Sequence, residues 1–171
     1  LLPTQTLITG ISSDGAYRAE NNTIVHAGHG RTFIGDLKNN SQVDECFLQT
    51  LPTHFLDIKN CNDIASRQWK KLAVNSAVNA LTAIYHCQNG QLLTNSDSRQ
   101  QLKRLCDEII TIAKSVGMES HCAELEQQVS QTLQATAENY SSMYQDISAG
   151  RKTEIDYING YLIQLAEKNG I

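Results

Sequence analysis

The sequence predicts an α+β fold that is mainly α. Two observations carry this reading: short β-branched runs broken by turn residues occupy the first 35 positions, and after Asn62-Asp63 the apolar residues recur every 3.6 positions to the end of the chain. The third is size, because 171 residues with 40% hydrophobic content suffice for one full core, or for one domain plus part of another. The single shift in composition falls near residue 60, so the expected boundary separates residues 1–62 from a helical domain at 63–171.

In chain order, Thr6-Leu7-Ile8-Thr9, Thr23-Ile24-Val25 and Thr32-Phe33-Ile34 read as strands of a small antiparallel meander, with Ser13-Asp14-Gly15 and Gly28-His29-Gly30 supplying turns. A short helix is expected from about Ser41, since Val43, Phe47, Leu48 and Leu51 share a face; Pro52 ends it, and residues 54–58 read as one further strand. Asn62-Asp63 can cap the first long helix. Helices are then expected at about 63–86, 97–116, 122–138 and 153–168, with Ser96 and Thr153 as N-caps and Gly117 and Gly170 as stops.

A formal net charge of −4 with both signs interspersed offers no basic patch for nucleic acid and no cationic amphipathic face for a membrane. No apolar run approaches the roughly 18 residues of a spanning helix. The five cysteines Cys46, Cys61, Cys87, Cys106 and Cys122 are scattered without a C-x-x-C pair, which suits reduced thiols and a cytoplasmic setting. The start at Leu1-Leu2-Pro3-Thr4 and the stop one residue after Asn169-Gly170 read as cuts in a longer protein.

The first long helix carries the most informative pattern. At about 100° per residue, Trp69, Leu72, Ala73, Ser76, Ala77, Ala80, Leu81 and Ile84 form one broad core face. Lys71, Asn75, Asn79, Thr82 and His86 fall opposite it as a polar stripe bordered by Val74 and Val78. Between Leu72 and Ser96 there is no Asp, Glu, Lys or Arg, so the helix is expected to be covered on most sides. A buried carboxamide without partners costs roughly 1–3 kcal/mol, and two stand here one turn apart. A bound polar ligand would satisfy them; so would neighbouring backbone or buried water. Lys71 at the edge of the stripe is either snorkelling to solvent or held as an acid or an electrostatic clamp.

A second cluster of hydroxyls, amides and charges occupies residues 139–160 around a helix start at Thr153. Glu154 in the first turn is favoured as an anion by the helix dipole, either as a simple dipole partner on a solvated surface or as a group ready to pair with a cation.

Here the sequence resembles a known family. Ser141-Ser142-Met143-Tyr144-Gln145-Asp146 followed by Thr153-Glu154-Ile155-Asp156-Tyr157-Ile158-Asn159-Gly160 closely resembles the signature of ketopantoate reductases. So does Trp69-Lys70-Lys71-Leu72-Ala73-Val74-Asn75, with Asn79, Leu81-Thr82-Ala83 and Asn89-Gly90 at matching spacing. The likeness extends back through Gly15-Ala16-Tyr17-Arg18 and His26-Ala27-Gly28-His29-Gly30 and touches nearly the whole chain.

The resemblance implies an enzyme that uses NADPH to reduce the 2-oxo group of 2-dehydropantoate (ketopantoate) to pantoate, for pantothenate and coenzyme A synthesis. It implies a helical C-terminal domain like that of 6-phosphogluconate dehydrogenases at 63–171, preceded at 1–62 by the remainder of a Rossmann-type dinucleotide-binding domain. By motif position, Lys71 is the catalytic proton donor and Glu154 the carboxylate that contacts substrate and cofactor. Asn75, Asn79, Asn89 and Ser142 are implied substrate ligands, and Ala16 meets the nicotinamide end through its backbone.

The chain departs from the family in one respect: the glycine-rich G-x-G-x-x-G turn that seats NADP phosphates is absent. Gly28-x-Gly30 followed by Gly35 has the wrong spacing. If these residues were the whole molecule, negligible NADPH affinity and no reductase activity would be expected.

Smaller signals add little. His26-x-x-His29 lacks a third ligand, so no metal is expected, and the three glycosylation-like triplets are treated as chance matches. The face formed by Leu102, Leu105, Ile109, Ile112 and Val116 reads as core while leaving room for a homodimer. The competing function is a non-catalytic helical ligand-binding or oligomerisation module; a reductase of another 2-oxo acid is a closer variant.

Overall fold

A computed structural model describes residues 6–38, 43–51 and 56–171. The chain divides into two units, Leu1–Gln68 and Trp69–Ile171, and the division falls inside a helix.

In the first unit, β1 (Ile8–Ser12) pairs antiparallel with β4 (Thr32–Asp36), and β4 pairs in parallel with β5 (Ile58–Asn60). A separate hairpin joins β2 (Gly15–Arg18) to β3 (Ile24–Gly28), with an irregular register between Gly15 and Ala16. The expected single meander is thus corrected to a mixed three-stranded sheet plus a hairpin. A parallel partner cannot be reached by a tight turn, and here it arrives from more than twenty residues downstream. The short helix α1 (Glu45–Gln49) starts later than expected because Asp44 caps it, accepting from Cys46 N. The expected start at Ser41, the stop at Pro52 and positions 54 and 55 of the strand placed at 54–58 lie outside the described residues, and that strand meets β5 at Ile58. Ile34, Val43 and Ile64 are buried in this unit. Arg67 adds a cation–π contact, its guanidinium 3.5 Å from the Phe33 ring centre.

The second unit is helical. It contains α2 (Ile64–Ile84) from Trp69 onward, a 3₁₀ turn at Asn89–Leu93, and α3 (Ser96–Ser115). The short α4 (Glu119–Cys122), α5 (Leu125–Ala135), α6 (Ser142–Ser148) and α7 (Ile155–Lys168) complete it. Its core runs from Ala73, Ala77 and Leu81 through Leu102, Ile109 and Ile112 to Val129, Leu133 and Leu162. The apolar face of α3 is therefore spent inside the unit. Gly117 and Gly170 end α3 and α7 at φ +72°, a conformation glycine adopts without steric cost.

Three expectations need correction. The helix expected at 122–138 is two helices broken at Ala123-Glu124. Asn95, not Ser96, caps α3, accepting from Asp97 N at 2.7 Å. Glu154, not Thr153, is the N-cap residue of α7, while Thr153 Oγ1 accepts from Ile155 N at 3.4 Å. No helix among the described residues is long and apolar enough to cross a membrane.

Candidate functional site

The stripe on α2 is graded rather than uniformly buried. Lys71 is exposed, Asn75 half-buried, Asn79 only 7% exposed and Thr82 wholly buried, after which His86 returns to solvent. The flanking Val78 is buried, and of the predicted core face only Ile84 is turned out, 68% exposed in the last turn.

The four polar groups differ in what they bond to. Thr82 Oγ1 donates to Ser141 Oγ at 2.7 Å, and Asn79 O lies 2.9 Å from the same hydroxyl. Thr82 is thereby satisfied within the protein and leaves the list of ligand groups. The carboxamides of Asn75 and Asn79 make no hydrogen bond to another described residue. Lys71 takes part in an interaction of its own.

Ser141 links the stripe to the second cluster. Its Oγ caps α6 by accepting from Tyr144 N at 3.1 Å while receiving the Thr82 proton, and it is buried at 7%. Ser142, the next residue, is exposed in the first turn of α6. On the far side of Thr82, the ring of Tyr144 stacks on Tyr140 at 4.6 Å and meets His86 edge-on at 6.2 Å.

Asn89 follows α2 in the 3₁₀ turn. Its Nδ2 donates to Thr136 Oγ1 at 2.8 Å and its backbone N–H to Asn139 O at 2.9 Å. Its Oδ1 is buried without a partner, so half of the side chain serves the fold and half is uncommitted.

Glu154 sits exposed at the start of α7, and its carboxylate makes no cap hydrogen bond. It is left to face solvent or a ligand. The helix that carries it is tied to α2 by Asn159, whose Nδ2 donates to Ser76 O at 3.0 Å. Six of the seven expected site residues, Lys71, Asn75, Asn79, Asn89, Ser142 and Glu154, belong to the second unit. Ala16 belongs to the first, exposed on β2 opposite His26.

Sequence reasoning missed Ser141 and Asn159, because both act through partners 59 and 83 positions away. Only Ser141 left a local signal, as a serine immediately before a helix start.

A mixed β unit followed by a helical unit defines an α+β, mainly α architecture. The family model described as "Ketopantoate reductase PanE/ApbA C terminal" matches residues 63–171, and the chain belongs to this family. A 2-dehydropantoate 2-reductase of Shigella flexneri is 38% identical over 167 residues, covering 98% of this chain and 54% of the relative. One of Archaeoglobus fulgidus is 31% identical and covers 96% and 55%. The crystal structure of a probable 2-dehydropantoate 2-reductase from Bacillus subtilis superposes with a TM-score of 0.79 at 28% identity, covering 97% and 56%. The chain spans about half the length of the curated relatives it matches.

Gly30 and Gly35 of the first unit are occupied by packing rather than by a phosphate seat. A Cβ at Gly30 would lie 2.3 Å from Ser13 C, and one at Gly35 would lie 2.4 Å from Cys61 O. Neither the 3₁₀ turn at Glu20–Asn22 nor α1 follows a glycine-rich turn. The described residues therefore do not fit the pyrophosphate of a dinucleotide.

Proposed function

We propose that this chain forms the substrate-holding and proton-donating part of a 2-oxo acid reductase, with ketopantoate as substrate and pantoate as product, serving pantothenate and coenzyme A synthesis. The observation that carries the reading is the pair of carboxamides on α2. Asn79 is 7% exposed and makes no hydrogen bond to another described residue, and Asn75 one turn earlier is likewise uncommitted among them. Their amide donors and acceptors are available to a ligand. A 2-oxo acid offers a carboxylate and a carbonyl oxygen, both acceptors for amide N–H groups.

In this reading NADPH supplies the hydride. As the carbonyl oxygen gains negative charge, the Lys71 ammonium stabilises it and transfers a proton to it, giving the hydroxyl of the product. Asn75, Asn79, Asn89 and Ser142 hold the carboxylate and hydroxyl. Glu154 keeps the lysine and substrate aligned. The relatives' name supports the reductase over a non-catalytic module, and a homodimer is compatible with it.

The test is steady-state kinetics of the full-length protein with NADPH and ketopantoate. Lys71→Ala should lower kcat by about 10²–10⁴-fold, the range for a positioned general acid, with a much smaller change in KM. Wild-type turnover in that variant would end the assignment. Faster turnover of another 2-oxo acid would move the substrate and leave the chemistry in place.

A further inference from the structure

We infer that Asn159 is a positioning residue that sets Glu154 against the Lys71–Asn75–Asn79 face, an inference that rests on the function proposed above. Asn159 lies on α7 five residues beyond Glu154, about 7.5 Å along the helix axis. Its Nδ2 donates to the backbone carbonyl of Ser76 at 3.0 Å. Ser76 is wholly buried and stands on α2 between Asn75 and Asn79. One hydrogen bond therefore ties the helix that bears Glu154 to the turn that bears both uncommitted carboxamides.

Apolar contacts of α7, such as those of Leu162, Leu165 and Ala166 with the core, hold the helix close but tolerate small sliding and rotation. A directional bond to a single carbonyl removes that freedom. With Asn159 pinned, the rigid helix fixes both the height and the rotation of its N-cap.

The second observation is the other half of the same side chain. Asn159 Oδ1 is buried without a partner. A buried acceptor left unpaired is destabilising, and the Ser76 carbonyl belongs to a helix that is hydrogen-bonded in its own right. An alanine would leave no orphan. Asparagine at this position thus does not serve stability best, and what it adds is placement.

The experiment is a double-mutant cycle of Asn159→Ala and Glu154→Gln in the full-length protein, read as kcat with NADPH and ketopantoate, alongside thermal melts of each variant. Misplacement of a reacting group by about 1 Å is enough for a 10²-fold loss, so Asn159→Ala is expected to lower kcat by roughly ten- to a hundredfold with KM within about threefold. On the Glu154→Gln background the same change should cost less than about threefold, because the group being positioned is already disabled. Equal losses on both backgrounds would overturn the inference and leave the site reading intact. Wild-type turnover for Glu154→Gln and Lys71→Ala together would instead bring down the site reading, and this inference with it. Should the alanine variant lose its cooperative melt, Asn159→Ser, which keeps a donor, carries the same cycle.

Discussion

Thr82 and Asn79 stand on the same stripe three residues apart and have opposite fates. Periodicity places both on one side of α2, and it cannot distinguish a hydroxyl that finds Ser141 at 2.7 Å from a carboxamide that finds nothing. The partner is 59 positions away, so this difference was not legible locally. Valine has the shape of threonine without its hydroxyl, and Thr82→Val would leave the buried Ser141 Oγ with Tyr144 N as its remaining donor. It should cost about 1 kcal/mol in urea unfolding; an unchanged midpoint would show that the Thr82–Ser141 bond adds nothing to stability. Asp14 gives a prediction of a different kind. The backbone N–H of Gly30, then the Ser12 hydroxyl, hold its carboxyl down at about 2, and His26 Nε2 lies 3.0 Å from it. The ionised form is the one the fold favours. Its contribution is therefore complete above the ordinary value of 3.8 and is lost as pH falls through about 2. Asp14→Asn should flatten this part of the acid limb of the stability profile of the first unit, as followed by amide NMR signals from the β2–β3 hairpin.

At the scale of elements, the long helices were readable because 3.6-residue periodicity and glycine stops are local signals. α6 and the 3₁₀ turn were not, being too short to show a period. β5 was met only at Ile58, the end of the strand expected at 54–58, because three residues pairing in parallel leave no hairpin signature. Gly90 marks where two such elements meet: its N–H donates to Ala137 O at 3.0 Å, and a Cβ there would lie 2.7 Å from Ala137 Cβ. Gly90→Ala should destabilise the helical unit by about 1–3 kcal/mol and disturb the Asn89 side chain beside it. Thermal melting checks the first effect, and a melt at or above the wild-type temperature would contradict the packing described.

For the whole molecule, the sequence carried the family through two motifs, but the roles of their residues came from resemblance rather than from chemistry visible in the chain. The cysteines report on the integrity of the fold. Burial pushes the Cys106 thiol up to about 11 and raises that of Cys122, whereas Cys46 is exposed. A thiol reagent at pH 8 should label Cys46 promptly and reach Cys106 and Cys122 only on unfolding, as mass spectrometry of timed samples would show.

The central claim is that the α2 stripe holds the substrate, and calorimetric titration of the full-length protein with ketopantoate tests it most directly. Asn79→Ala should weaken binding about tenfold or more, the equivalent of roughly 1.4 kcal/mol, while Lys71→Ala, disabled in turnover, retains affinity within a few-fold. Wild-type affinity in the Asn79→Ala protein would contradict the account.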